Sequence, residues 1–260
     1  MAENRTNKAF EAYQLSVNYD TTPVLWDINF EIPSGKLVGI IGPNGAGKST
    51  LIKTALGLLS PISGKVEFFG HPLKEVRQRI AYVPQRESVD WDFPITVHDL
   101  VLMGRYGRLG LLRWPRHADR AAADYYLDLV GMLEYRHRQI SQLSGGQQQR
   151  AFIARALIQE ADIYFMDEPL TGIDHASEGV IMDLLRQLRD KGKTIFVVHH
   201  DLNTVDTYFD WVVMLNTSLI ACGGVQETFT PENLNRTYGK SYALLDEALR
   251  LSNTKSSGLG

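Results

Sequence analysis

The sequence predicts an α/β fold with a mainly parallel sheet, because short apolar runs alternate with stretches of helical periodicity. Two further patterns modify that core. Near the start, apolar and polar residues alternate, as they do in half-exposed antiparallel strands, and a long middle stretch carries no strand signal. We therefore expect an α/β core, an antiparallel β subdomain and an inserted α-helical subdomain.

Each expected element can be assigned to a segment of the sequence. The antiparallel strands fall at 13–19 and 29–32, where the alternation is clearest. Helical spacing of Ala, Leu, Tyr and Arg places the inserted subdomain at about 90–157, within one domain of residues 10–245 that is followed by a polar tail at 246–260. Four apolar runs are predicted to be buried strands of the parallel sheet: Leu37–Ile41, Ile80–Val83, Ile163–Met166 and Thr194–Val198.

Composition narrows the class of protein. The hydrophobic fraction of 44% and the charged fraction of 22% are ordinary for a soluble globular chain. A formal net charge of -3 gives no electrostatic reason to expect a nucleic-acid partner. The single cysteine, Cys222, suits a reducing compartment, and the sequence has neither an export signal nor an apolar run long enough to span a bilayer. We expect a cytoplasmic chain.

A phosphate-binding loop follows the first apolar strand. Glycines let backbone N–H groups curl around phosphate oxygens, and the helix that follows directs its positive end at the same anion. Lys48 would then face the β- and γ-phosphates of ATP, while the Ser49 hydroxyl would ligate Mg²⁺. The strand is followed at once by a match to G-x-x-x-x-G-K-[ST] and one helix-compatible residue: Gly42, Pro43, Asn44, Gly45, Ala46, Gly47, Lys48, Ser49 and Thr50.

Two acidic residues end a second apolar strand. Ile163–Met166 is followed directly by Asp167 and Glu168. Alone, this pattern is more typical of a solvated turn, but beside a phosphate loop such an aspartate holds Mg²⁺. We assign Asp167 to the metal and Glu168 to the water that attacks the γ-phosphate.

A second anion site precedes a long helical pattern. Leu143, Ser144, Gly145, Gly146 and Gln147 combine a good N-cap serine with two glycines that expose backbone donors at a positive helix end. This pentapeptide is identical to the signature of ABC ATPases. From about residue 13 to 225 the chain resembles an ABC nucleotide-binding subunit, which implies a P-loop NTPase (RecA-like) core.

The resemblance implies roles for further residues. In that family two subunits sandwich two nucleotides, so Ser144, Gly145 and Gln147 would act on the nucleotide of the other copy, with Gly146 in the same nucleotide-binding set. Gln85 would sense Mg²⁺ and the attacking water, and His200, rather than its neighbour His199, would contact the γ-phosphate. Tyr19 resembles the aromatic residue that stacks on adenine in that family, although a tyrosine in a strand can also serve in plain packing. Asp174 would act between the two subunits; it is the last residue of Thr-Gly-Ile-Asp, where the family often has Ser-Ala-Leu-Asp.

Four stretches, 83–94, 103–106, 136–140 and 167–174, resemble ATPases of bacterial manganese, zinc and iron importers. That resemblance implies a homodimer on the cytoplasmic face of the membrane, a polytopic permease, indirectly a metal-binding solute protein, and no nucleic acid. Trp91 and Phe93 would lie where the permease docks, or else in the core. Two alternatives remain: a soluble ABC scaffold, such as an iron–sulfur cluster assembly factor, and a nucleic-acid-directed ATPase, which the acidic balance disfavours.

Overall fold

The computed structural model describes residues 8–19, 22–110 and 114–239. The polar tail predicted at 246–260 lies outside the described residues, so the predicted domain limits stay predictions. The described strands are β1 (Lys8–Tyr19), β2 (Thr22–Pro33), β3 (Leu37–Ile41), β4 (Ser63–Phe68), β5 (Ile80–Val83), β6 (Ile163–Met166), β7 (Thr194–Val198), β8 (Trp211–Asn216) and β9 (Ser218–Gly224).

The described α-helices vary from single turns to long helices. They are α1 (Lys48–Ala55), α2 (Leu73–Val76), α3 (Val97–Leu102), α4 (Tyr106–Leu109), α5 (His117–Leu129), α6 (Gly145–Leu157), α7 (His175–Asp190), α8 (Val205–Tyr208), α9 (Val225–Thr228) and α10 (Pro231–Tyr238). Short 3₁₀ turns lie at Arg77–Arg79, Arg86–Ser88, Met103–Arg105, Leu133–Tyr135, Ile140–Gln142 and Leu202–Thr204. In the described part of the chain, no helix is both long enough and apolar enough to cross a bilayer.

Two sheets form the α/β body. The larger has the strand order β5-β6-β7-β3-β8-β9, parallel except for the antiparallel edge strand β9. The smaller has the order β2-β1-β4 and is antiparallel throughout. All four predicted parallel strands and both predicted antiparallel segments are therefore confirmed. Because β6, β7 and β3 are neighbours, their carboxyl ends meet at one edge of the sheet, where ligands bind in open α/β folds.

The parallel sheet is buried on both faces, which explains its uninterrupted apolar strands. On one face, Val38 and Phe196 pack toward the antiparallel sheet and α1. Phe165 and Phe196 stack there with ring centroids 4.6 Å apart. On the other face, Leu37 and Val197 belong to a core that includes residues of α3, α5 and α6.

The inserted subdomain consists of α3, α5 and α6, which pack on one another, and α6 also contacts β5. Between residues 84 and 162 the described residues form no strand, only an isolated bridge between Thr96 and Gln139. The predicted architecture is thus confirmed: an α/β core with an antiparallel β subdomain and an inserted helical subdomain.

Candidate nucleotide-binding site

The loop between β3 and α1 wraps a space at the carboxyl edge of the sheet. Gly47, the residue before α1, has a φ of 95°, and a Cβ there would lie 2.4 Å from Leu25 Cδ2. Gly42 has a φ of 156°, and a Cβ there would lie 2.1 Å from the Leu215 carbonyl oxygen. Only glycine fits these two positions, which explains the fixed glycines of the motif.

Lys48 is held over this loop by backbone carbonyls. Its Nζ donates hydrogen bonds to the carbonyl oxygens of Gly42 at 2.8 Å and Pro43 at 2.9 Å. Burial lowers the pKa of Lys48, and the nearby Glu168 and Asp167 oppose that shift. An ammonium group has three donors, so one remains for a phosphate oxygen before either carbonyl is released.

Asp167 and Ser49 form a pair that fits Mg²⁺. The Ser49 hydroxyl donates to Asp167 Oδ1 at 3.0 Å, whereas the buried Oδ2 accepts no hydrogen bond from any described residue. Burial raises the pKa of Asp167, and the hydrogen bond from Ser49 opposes this. A buried carboxylate oxygen without a hydrogen bond raises the free energy of the folded protein. Mg²⁺ keeps several water and phosphate ligands, so it needs only a hydroxyl and a carboxylate of this kind from the protein.

Glu168 stands at the end of β6 in an unusual backbone conformation, with a φ of 53°. Its Oε1 lies 2.6 Å from His200 Nε2, and the Thr171 hydroxyl donates to its Oε2 at 3.5 Å. A left-handed backbone in a residue other than glycine is strained and is common at functional sites. The conformation points the carboxylate across the strand ends toward β7.

The two consecutive histidines after β7 lie in different environments. His199 is buried, its Nε2 is 2.7 Å from Thr204 Oγ1, and its ring packs edge-on against Phe209. Burial lowers the pKa of His199, with Asp201 opposing the shift. His200 is exposed and faces Glu168. The geometry therefore favours His200 over His199 for contact with a nucleotide.

Lys48, Ser49, Glu168 and His200 line one cavity of about 870 Å³. Tyr19 is on its wall and is 46% exposed, so its ring is available to a ligand rather than packed in the core. Val24 is also on the wall; the sequence analysis missed it, because only the placement of β2 against the loop brings it there. The lining residues are Tyr19, Val24, Asn44, Gly45, Ala46, Gly47, Lys48, Ser49, Thr50, Gln85, Glu168 and His200.

The second predicted anion site lies elsewhere on the same chain. Ser144 is exposed and caps α6, accepting from the Gln147 N–H at 3.4 Å while Gln147 Oε1 accepts from the Ser144 N–H at 2.9 Å. Asp174 caps α7 by accepting from the Ser177 N–H at 3.0 Å. The cavity of the phosphate loop is not lined by Ser144, Gly145, Gly146, Gln147 or Asp174, all of which are described residues.

The fold and the phosphate loop together define a P-loop NTPase. The profile of the family described as ABC transporter matches residues 25–171. The chain is 57% identical over 237 residues to the manganese transport system ATP-binding protein MntB of Bacillus subtilis, covering 91% of this chain and 95% of that protein. It belongs to the ABC transporter family.

Two further comparisons agree with that assignment. The chain is 54% identical over 240 residues to the zinc transport system ATP-binding protein TroB of Treponema pallidum, covering 92% of this chain and 90% of that protein. Among solved structures, it is similar to cbiO1 from Clostridium perfringens, part of the ABC transporter complex cbiONQ. That match has a TM-score of 0.73 at 27% identity and covers 94% of this chain and 99% of the other.

Proposed function

We propose that this chain is the ATP-hydrolysing subunit of an importer that takes up Mn²⁺ or Zn²⁺ through a separate membrane permease. The relatives at 57% and 54% identity, each matched over at least nine-tenths of both chains, support the choice of ion. The hydrolytic part rests on one observation: Lys48, Glu168 and His200 line a single cavity beside the pair formed by Ser49 and Asp167.

The proposed reaction converts ATP and water to ADP and phosphate. Lys48 exchanges its two carbonyl acceptors for oxygens of the β- and γ-phosphates, where its charge stabilises the transition state. Ser49 and Asp167 would hold Mg²⁺, which neutralises phosphate charge when it is bound. Glu168 takes the proton of the attacking water, and His200 fixes the orientation of that carboxylate and reaches the γ-phosphate. Gln85, on the cavity wall, would orient the same water.

The active unit is proposed to be a homodimer. Ser144 caps α6 and Gly145 begins it, and within one chain neither residue lines the nucleotide cavity. An N-terminal helix end is a good site for an anion. A second copy, facing the first in antiparallel fashion, would place this end over the γ-phosphate of its partner, with Asp174 at the seam between the copies.

A connected set of contacts supports coupling between the nucleotide site and a permease. After Gln85, the Arg86 Nε donates to Gln148 Oε1 of α6 at 3.0 Å. The Arg86 carbonyl accepts from Trp91 Nε1 at 2.9 Å. The segment between the cavity and the exposed Phe93 is therefore fastened to the helix that carries the signature. A permease helix seated at Phe93, on the cytoplasmic side of the membrane, would move when α6 moves.

The alternative of a soluble ABC scaffold, such as an iron–sulfur cluster assembly factor, is not favoured, because the relatives reported above are named as subunits of transport systems. Cells that lack this chain should lose uptake of radioactive Mn²⁺ or Zn²⁺. The parent chain and a Glu232→Gln control, altered at an exposed helical residue, should restore it, while Glu168→Gln should not. Uptake that persists in cells lacking the chain would overturn the transport proposal, whereas uptake that persists with Glu168→Gln would move the proton acceptor to another residue. Membrane cofractionation that survives removal of the permease would also overturn the transport proposal.

A further inference from the structure

One face of α6 is covered for part of its length by the segment that precedes α3. Gln148, Phe152 and Arg155 follow one another at intervals of four and three positions, so they share this face of the helix. Gln148 Oε1 accepts from Arg86 Nε at 3.0 Å, and the Phe152 ring centroid lies 5.0 Å from that of Trp91. The contacts run along the face in chain order, and Arg155 is the next side chain beyond them.

The Arg155 guanidinium is partly buried and has no carboxylate partner in the described part of its own chain. Its Nε is buried and donates to no acceptor among the described residues. The group that it faces is the ring of Phe152, with 5.4 Å between Arg155 Cζ and the ring centroid. Burial lowers the pKa of Arg155, and no carboxylate opposes that shift. Because arginine stays charged in proteins, the fold retains a positive charge that is only partly compensated.

A second arginine of this chain provides a matched comparison. Arg79 also lies over an aromatic ring, with 4.1 Å between its Cζ and the ring centroid of Phe69. In addition, Arg79 Nε donates to Asp162 Oδ2 at 2.7 Å. A ring face attracts a cation more weakly than a hydrogen-bonded carboxylate does. Arg155 therefore has the aromatic contact of Arg79 without its carboxylate.

Exposed apolar side chains lie on both segments that contact α6 near Arg155. Phe93 is exposed two positions beyond Trp91. On the other segment, Gly104 approaches α6 so closely that a Cβ there would lie 2.3 Å from the Arg155 carbonyl oxygen, and the preceding Met103 is exposed. Such apolar groups mark surfaces that bind other proteins. A positive charge among them fits a partner that adds a negative one.

We propose that the permease segment that docks beside Phe93 carries an acidic side chain whose carboxylate pairs with Arg155. The assignment rests on the proposed function, because it requires a permease. A carboxylate at this position would accept from the buried Nε and compensate the charge of the guanidinium. Since Arg155 and the signature belong to the same helix, the ion pair would fasten the permease to α6 itself. Movement of Ser144 and Gly145 toward a nucleotide would then pull directly on the permease.

The experiment is capture of the purified, nucleotide-free full chain by membrane vesicles that contain the permease, with vesicles from cells without the permease as the blank. Arg155→Met keeps an apolar stem without the charge, and it should lower capture about tenfold or more because the partner's carboxylate is left unpaired. Arg155→Lys, which keeps the charge, should retain most of the capture. Arg79→Met, altered at the arginine that already has Asp162, should be captured like the parent.

A carbodiimide, which joins an amine to a carboxylate in contact with it, identifies the partner group. With Arg155→Lys on the vesicles, mass spectrometry should find a cross-link from position 155 to an aspartate or glutamate of the permease. Lys193 Nζ donates to Asp162 Oδ1 at 2.7 Å, so a cross-link between these two residues should form in every sample and serves as the internal control. Cross-links from position 155 to the chain's own carboxylates alone, or none from that position, overturn the proposal.

Thermal melting separates this proposal from a purely structural role for Arg155. Removal of a desolvated charge that has no carboxylate should leave Arg155→Met melting at or above the temperature of the parent. A clearly lower melting temperature would assign Arg155 to packing on Phe152 and overturn the proposal. If the vesicles fail to capture even the parent, the proposed function is overturned and this proposal with it. Equal capture of the parent and of Arg155→Met overturns this proposal alone.

Discussion

Glu168 and His200 meet at 2.6 Å between Oε1 and Nε2, although 32 positions separate them in the sequence. The contact exists because β6 and β7 are adjacent parallel strands whose carboxyl ends lie side by side. It joins the carboxylate proposed to accept a proton with the histidine proposed to reach the γ-phosphate.

Lys48→Ala should abolish tight binding of ATP. No other ammonium group lines the described part of the cavity, so the β- and γ-phosphates would lose their only lysine contact. Titration with a fluorescent ATP analogue measures the effect, and Lys74→Ala, on the exposed side of α2, is the matched control. Binding at parent affinity would show that the phosphate loop is assigned wrongly.

Glu168→Gln should separate binding from chemistry. The amide keeps the shape of the side chain but cannot take a proton, so hydrolysis should fall by about 10²–10⁴-fold while ATP still binds. The stalled protein should elute from a sizing column as a dimer when ATP is present and as a monomer without it. A fully active variant would move the proton acceptor to another residue.

The two consecutive histidines should respond in opposite ways. His200→Ala should lower the hydrolysis rate and leave thermal stability almost unchanged, because its ring is exposed. His199→Ala should lower the free energy of unfolding by about 1–3 kcal/mol, since it removes one hydrogen bond of the Thr204 hydroxyl and leaves a void beside Phe209. Hydrolysis and thermal melts on both variants check this; equal effects of the two substitutions would contradict the assignment.

The lowered pKa of His199 predicts a pH dependence of stability. Below about pH 6.5 the unfolded chain binds a proton at His199, whereas burial disfavours that proton in the folded chain. The stabilisation that comes from the neutral ring is therefore fully present above that pH and is lost as the pH falls. Urea unfolding of the parent and of His199→Gln, compared between pH 7.5 and 5.5, isolates the effect. The difference in unfolding free energy between the two proteins should shrink toward the acidic end, and a constant difference would rule this out.

Trp91 and Phe93 should also differ. Trp91 is half-buried, with its ring centroid 5.0 Å from that of Phe152, so Trp91→Ala should cost about 2 kcal/mol of stability, less than the ~3–5 kcal/mol for a fully buried ring. Phe93 is 57% exposed, so Phe93→Ala should leave stability intact and weaken capture by the permease. Stable protein with normal capture in the Phe93 variant would remove this residue from the permease contact.

Much of the fold was predictable because its strands are short apolar runs with sharp ends. β3 and β6 are each bounded by the motif residues that follow them, so their limits agree with the prediction. The edge strand β9 was not predicted, because its small residues and two closing glycines give little strand preference. The sequence analysis also omitted β8, although it is an apolar run like the other buried strands.

The site was predictable where local motifs carry it and not where distant segments meet. The phosphate loop and the acidic strand end are each recognisable from a few consecutive residues. In contrast, the place of Val24 on the cavity wall and the distinction between His199 and His200 depend on how distant strands and helices pack. Patterns within one segment contain no information about such contacts.

The central claim is that each nucleotide-binding site is formed by two copies of the chain. Mixing two variants tests this claim most directly. Glu168→Gln disables the site that a copy holds itself, and Ser144→Arg disables the signature that it offers to the other copy. Each variant alone should be nearly inactive. Random pairing makes mixed dimers about half of the population, each with one intact site of two, so the mixture should recover about a quarter of the parent ATPase rate. A mixture no more active than its separate components would contradict the shared site.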